Sequence, residues 1–173
     1  MTNRATSAIA ALLLTFGVLA SSAAINASPA AADRAHGFDR FLRRYEAANT
    51  AFVNGDPTPW LAITAERDPA SIFGGFGGLG EAGVADVHQR YLLAAGAFRP
   101  SGAEVAFEYL VTDVRGTLAY TVALERAQVR YAGQAEPQPH FLRATMIFRM
   151  ERGAWKIVHR HADTMTDLHL PGT

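Results

Sequence analysis

The chain has 173 residues, 16 Lys and Arg against 16 Asp and Glu, and no cysteine. A formal charge of +0 excludes the basic face that gripping a phosphate backbone requires, so no nucleic-acid partner is expected. The absence of thiols excludes disulfides and a cysteine-borne lipid anchor.

In chain order, residues 1–32 read as an export segment. Met1 to Ser7 is polar and carries Arg4, Ala8 to Ala20 is the apolar run "AIAALLLTFGVLA", and small residues follow. That is the anatomy of a secretory signal peptide. The run is shorter than the roughly 20 apolar residues of a spanning helix, so a processed product without a stable membrane span is expected. Cleavage after Ala23, Ala24, Ala27 or Ala32 fits the small-residue rule, and the mature protein is expected to be periplasmic or secreted. Residues 33–37 complete an Ala- and Pro-rich tether. About 140 residues remain, enough for one domain with one core.

"FDRFLRRYEAANTAFVNGD" predicts an amphipathic helix, with Phe38, Phe41, Leu42, Tyr45, Ala48, Phe52 and Val53 at three- and four-residue steps and Gly55 as its stop. "TPWLAITA" predicts a second, short helix with Pro59 in its first turn. "SIFGGFGG" reads as extended, and "GVADVHQRYLLAAGAF" as a third helix with Val84, Val87, Tyr91 and Leu92 on one stripe. From there the period is two. "AEVAFEYLVTDV", "LAYTVALERAQVRYA", "HFLRATMIFRME" and "AWKIVHRHADTM" predict four long strands joined by short turns and the "GQAEPQP" loop. The layout is α+β, in the order α-α-β-α-β-β-β-β.

Gly75, Gly77 and Gly80 form a literal G-x-G-x-x-G. A dinucleotide loop works only between a strand and a helix of a parallel sheet. Consecutive strands linked by hairpins are antiparallel. The glycines therefore read as backbone geometry, and no nucleotide cofactor is expected.

This order of elements, with "FGGFGG", "LAYTVALER", "LRATMIFR" and above all "GAWKIVHRHAD", resembles the SnoaL-like group of the nuclear-transport-factor-2-like superfamily. The resemblance covers residues 38–169 and leaves 170–173 as a tail. It implies a cone-shaped, strongly curved antiparallel sheet wrapped around the long first helix, with an apolar pocket at one end. The superfamily includes ketosteroid isomerases, polyketide cyclases, scytalone dehydratase and the association domain of calcium/calmodulin-dependent kinase, so the fold alone does not name an activity. Of the isomerase apparatus, one strand aspartate falls at Thr145 and the other near Phe73 or Gly74, and neither is acidic. Tyr45 lies about one turn before the isomerase tyrosine.

The densest polar cluster is "HRHAD". Strand alternation puts His159, His161 and Asp163 on one face and Arg160 on the other. If the histidine face is inward, His161 or His159 with Asp163 is the acid–base candidate. By resemblance, Val158, Arg160 and Ala162 instead line the pocket, sending the histidines to the outer, dimer-facing side. A metal would need His140 or His169 as a third ligand, and two histidines do not close a zinc site, so no metal is expected. Arg160, Arg143 with Thr145, Tyr120 with Arg126 or Glu125, and Tyr45 complete the ligand-binding candidates. The expected function is an exported protein holding a small, mainly apolar organic molecule, with cofactor-free isomerisation, dehydration or cyclisation as its chemistry if it has any. The alternative is a non-catalytic dimeric binding or assembly domain. Apolar residues on both strand faces, as in Val105-Ala106-Phe107 and Met146-Ile147-Phe148, predict a homodimer.

Overall fold

The apolar stripe of the first segment forms α1, Pro29–Phe52, in a computed structural model that describes residues 29–166. The bulk of the expected export segment, and His169, lie outside the described residues. The helix begins well ahead of Phe38 and runs through the stretch expected to be a tether. "PAAADRAH" explains why: Pro is at home in a first turn, and the alanines behind it are the strongest helix formers. Phe38, Phe41, Tyr45 and Ala48 are buried along one face.

After α2, Thr58–Ala62, come two short strands, β1, Ser71–Phe73, and β2, Glu81–Ala82, then α3, Val84–Ala95, and β3, Phe98–Arg99. The two-residue strands β2 and β3 are too short to show a period, and the sequence did not predict them. The four long strands are β4, Ala106–Arg115, β5, Leu118–Tyr131, β6, Gln138–Glu151, and β7, Ala154–Thr164. They pair antiparallel in succession. At the β6–β7 turn Arg152 and Gly153 both take positive φ (47° and 82°), the two-residue geometry whose twist matches the strands.

The sheet runs β2-β1-β7-β6-β5-β3, with β4 also on β5. One pairing is parallel: β1 lies on β7 with Ser71 opposite His159 and Phe73 opposite His161. The inner face carries Ala119, Thr121, Ala123, Glu125, Ala127 and Val129 from β5, and Leu142, Ala144, Met146 and Phe148 from β6, all buried. The sheet curls around α1. Phe38 meets Phe148 and Trp155 edge-on at 5.2 and 5.1 Å, and Tyr45 and Tyr91 flank Trp60 at 5.3 and 5.6 Å. Each such ring contributes about 1.5–3 kcal/mol by leaving water.

Two irregularities set which side chains face in. On β4 the register shifts between Tyr109 and Val111, leaving Leu110 without a partner. On β7, Ile147 of β6 faces His159 while its neighbour Phe148 faces Ile157, so Val158 is the extra residue of a bulge. Trp155 and Ile157 point inward before the bulge, and Arg160 and Ala162 after it.

The glycine motif occupies the turn between β1 and β2. A side chain at Gly80 would sit 2.6 Å from the Phe73 ring and 2.9 Å from the Ile72 carbonyl oxygen, at a φ of +90°. Only glycine fits there. The following helix starts with its Val84 amide donating to Asp68 Oδ1 at 2.8 Å, so that N-terminus already faces a carboxylate rather than a phosphate.

Candidate ligand site inside the cone

Arg160 and Glu125 meet inside the cone. β7 supplies the arginine past its bulge, and β5 supplies the glutamate on its inner, odd-numbered row. Arg160 Nη1 and Nη2 donate to the two carboxylate oxygens at 2.8 and 2.6 Å, a planar fork. Tyr45 of α1 donates to Glu125 Oε1 at 2.7 Å, and the guanidinium stands 5.6 Å over the Trp60 ring, a cation–π distance. Arg160 is only 7% exposed and Glu125 3%.

Burial by itself pushes the Glu125 carboxyl up, but the Arg160 charge and its hydrogen bonds, with that of Tyr45, more than offset this and hold it below its ordinary value. Burial likewise opposes the charge on Arg160, and Glu125 raises its pKa despite that. Both partners are therefore ionised and mutually neutralised. Tyr45, buried beside the carboxylate, is pushed well above the usual tyrosine range and stays a neutral donor. A carboxylate held this way is a poor base.

Beside the pair lies a narrow cavity. Its water-accessible volume is about 40 Å³, room for roughly three waters. Phe52, Trp60, Tyr91 and Phe98 form its aromatic wall, Asn49, Arg90, His140 and Arg160 its polar lining, and aliphatic side chains and the Gly74–Phe76 turn the rest. His140 accepts or donates a 2.8 Å bond with the Tyr131 hydroxyl through Nδ1 and packs among Phe76 and Phe98. Burial, with Arg160 nearby, lowers its pKa to about 4, so at neutral pH it is an uncharged imidazole. Tyr91 is pushed up to about 12 by burial.

The sequence-derived candidates divide between two faces. Arg160, Tyr45 and Glu125 lie inside. Arg143 lies outside, bonded to Asp163 at 3.0 and 2.6 Å, and Arg126 pairs with Glu108 at 2.8 Å. Tyr120 and Thr145 line an outer hollow with Ile147. His161 is exposed, its ring 5.3 Å from that of Phe73, and His159 bonds Ser71 Oγ at 2.8 Å. The catalytic candidates His159, His161 and Asp163 are thus not brought into the cavity. Val158, matched by resemblance to the pocket, occupies the bulge and borders an outer groove with Ser71, Ile147 and His159, and Ile157 takes the inner place. Among the described residues no group of three His, Cys, Asp or Glu is placed to hold a metal. Trp60, Tyr91, Asn49 and Phe98 were not singled out as site residues from sequence. Tyr91 carried only a core signal, its place on the apolar stripe of α3.

A family model for the SnoaL-like domain matches residues 23–166. The chain belongs to the SnoaL-like domain family. The SnoaL-like cone is shared with solved structures at low identity. A nuclear-transport-factor-2-like superfamily protein from Salmonella enterica aligns at TM-score 0.60 and 16% identity, covering 82% of this chain and 95% of that one. A candidate scytalone dehydratase from Novosphingobium aromaticivorans aligns at TM-score 0.61 and 17% identity, covering 82% and 91%. A candidate calcium/calmodulin-dependent protein kinase II association domain from Xanthomonas campestris aligns at 0.58 and 15%, covering 83% and 95%. At these identities the likeness carries the fold alone. No curated protein matches significantly by sequence.

Proposed function

We propose that this SnoaL-like protein is exported and holds a small, mainly apolar organic molecule in the cavity of its cone. The observation that carries the reading is the cavity wall itself: aromatic and aliphatic over most of its surface, with Arg160, neutralised from behind by buried Glu125, at one point. Ligand sites have this composition, an apolar surround with a few fixed polar groups. The solved relatives include a candidate dehydratase, and the superfamily's cofactor-free chemistry is isomerisation, dehydration or cyclisation. The imidazole that lines the cavity is that of His140 rather than the outward His161, but burial holds its pKa near 4, so it is a weak base and the cavity favours binding over proton abstraction. Glu125 is unsuited, since Arg160 and Tyr45 already occupy its oxygens.

Export rests on the charged, apolar and small-residue succession of residues 1–32. Cleavage after Ala23, Ala24 or Ala27 leaves α1 whole, whereas cleavage after Ala32 cuts into its first turn. No helix among the described residues is long and apolar enough to cross a membrane. One experiment addresses both parts: native mass spectrometry of protein purified from the exported fraction of its host. A mature N-terminus between about residues 24 and 33 and a small organic adduct are expected. An intact Met1 in the soluble cytoplasm sinks export, and a bare polypeptide at every ligand supply sinks the binding reading.

A second reading, a dimeric binding or assembly domain, is favoured by the outer sheet face. Leu118, Tyr120 and Ile147 are exposed there on neighbouring strands, an apolar surface that a two-fold mate would cover.

A further inference from the structure

We infer that the cavity takes the oxygen of a small neutral hydrogen-bond acceptor, a ketone-, ester- or amide-type carbonyl, in preference to an anion or a plain hydrocarbon. The inference rests on the cone being a ligand site. Three residues that line the cavity carry buried polar atoms that complete no hydrogen bond, Asn49 Nδ2, Trp60 Nε1 and Tyr91 Oη, with the Trp60 indole turned toward the Tyr91 hydroxyl and the Asn49 amide toward Glu125. They come from α1, α2 and α3 respectively, so no single turn or cap accounts for them. Buried polar groups are almost always paired, and an unpaired one is costly. Trp155 Nε1 and Thr121 Oγ1 also lack partners but do not line this cavity.

The chemistry of the three is one-sided. The amide nitrogen and the indole N–H only donate, and the tyrosine hydroxyl keeps its proton at neutral pH and so offers a third donor. An acceptor oxygen satisfies them, and a hydrocarbon leaves them unmet. An anion gains little. Arg160 is already neutralised by Glu125, whose own charge opposes a second carboxylate. Arg90, at the rim, donates to the Gly77 carbonyl and lies 3.5 Å from Glu81, and His140 is uncharged. No cation lining the cavity is free among the described residues. Space for about three waters admits a head of a few heavy atoms, with the body of the molecule against Phe76 and Phe98 at the mouth.

The test is a nuclear magnetic resonance titration of the mature protein with three probes of similar size: cyclopentanone, methylcyclopentane and cyclopentanecarboxylate. Trp155→Phe assigns the Trp60 indole N–H resonance. Cyclopentanone is expected to bind saturably and to move that resonance downfield, with the other two at least about threefold weaker. Trp60→Phe should erase most of the preference over methylcyclopentane, and Tyr91→Phe should do the same if the first variant fails to fold. Tighter binding of the carboxylate, or equal binding of the hydrocarbon, overturns the inference while leaving the cone a ligand site. Failure of all three probes to bind overturns both.

Discussion

Replacing Arg160 by Met probes the interior directly. Methionine keeps the length of the side chain and its packing against Trp60 and Met146, but it leaves the buried Glu125 carboxylate with only neutral donors, Tyr45 and the Asn49 amide turned toward it. Glu125 must then stay charged in a low-dielectric interior or take up a proton at neutral pH. An unfolded glutamate titrates near 4.3, so protonation at pH 7 costs about 1.36 kcal/mol for each of roughly 2.7 units, or about 3.7 kcal/mol. That figure caps the loss, and it falls within the ~3–5 kcal/mol seen when one partner of a buried pair is removed. At about 2–8 °C per kcal/mol, that ceiling corresponds to a fall in melting temperature of roughly 7–30 °C.

The pH dependence should change sign. In the parent, burial raises the Glu125 pKa but Arg160 overrides it, and the folded value lies below the unfolded one. Its contribution is present above the unfolded value and is lost as pH falls through the folded one. In the variant the folded value is raised, so the contribution is complete below about 4.3 and is lost as pH rises. Chemical denaturation followed by circular dichroism at about pH 5 and about pH 8 should show the gap between parent and variant widening with pH. The double variant Glu125→Leu with Arg160→Met should recover much of the loss, since well-packed apolar replacements of buried pairs are often neutral. A flat gap across that range, or a single variant within about 1 kcal/mol of the parent, would refute the buried, mutually neutralised pair.

Burial holds His140 near pKa 4 against 6.5 unfolded, so its contribution is present above pH 6.5 and is lost as pH falls toward 4. That amounts to about 3 kcal/mol, and His140→Phe should remove this part of the acid destabilisation in thermal melts. Gly80→Ala should cost several times more than Gly77→Ala, because a Cβ at Gly80 meets Phe73 and Ile72, whereas at Gly77 it meets nothing within 4 Å and only the φ of +77° is strained; equal melting temperatures would refute this. His161→Ala should change stability by less than about 0.5 kcal/mol, as an exposed residue making no hydrogen bond to another side chain. Light scattering should show a dimer at micromolar concentration, and Ile147→Glu on the outer face should convert it to a monomer; a monomeric parent removes the assembly reading.

The long elements were legible in the sequence, α1 through the stripe of Phe38, Phe41, Tyr45 and Ala48 and β5 as a long strand-forming run, whose strict alternation of buried residues from Ala119 to Val129 emerges only in the fold. The early start of α1 was not, since "PAAADRAH" has helix-forming residues but no apolar stripe to reveal them. Within the site, Arg160 stood out because alternation set it opposite the histidines of "HRHAD", and Tyr45 because the resemblance put it near the isomerase tyrosine. Glu125 was ambiguous with Arg126, because only the sheet's curvature tells which strand face is enclosed. Trp60, Tyr91 and Asn49 converge from three helices, a proximity that no local pattern encodes. The orientation of β7 could not be read from its period, because alternation counted from Trp155 puts His159 and His161 inside.

The extra residue at Val158 has a consequence for how such a strand can change over time. Removing that one residue would carry the strand straight from Ile157 to His159 and keep Arg160 and Ala162 inside, whereas pairing Val158 within the ladder would present His159, His161 and Asp163 to the interior and turn Arg160 to the surface. A single-codon deletion would therefore leave the guanidinium-lined cavity as it is, and only a loss of the bulge with Val158 kept, a one-residue slip of the strand's C-terminal half, would exchange it for an imidazole-lined one. Two chemically different interiors are written in the same eleven-residue strand, and one bulge decides which of them the chain uses.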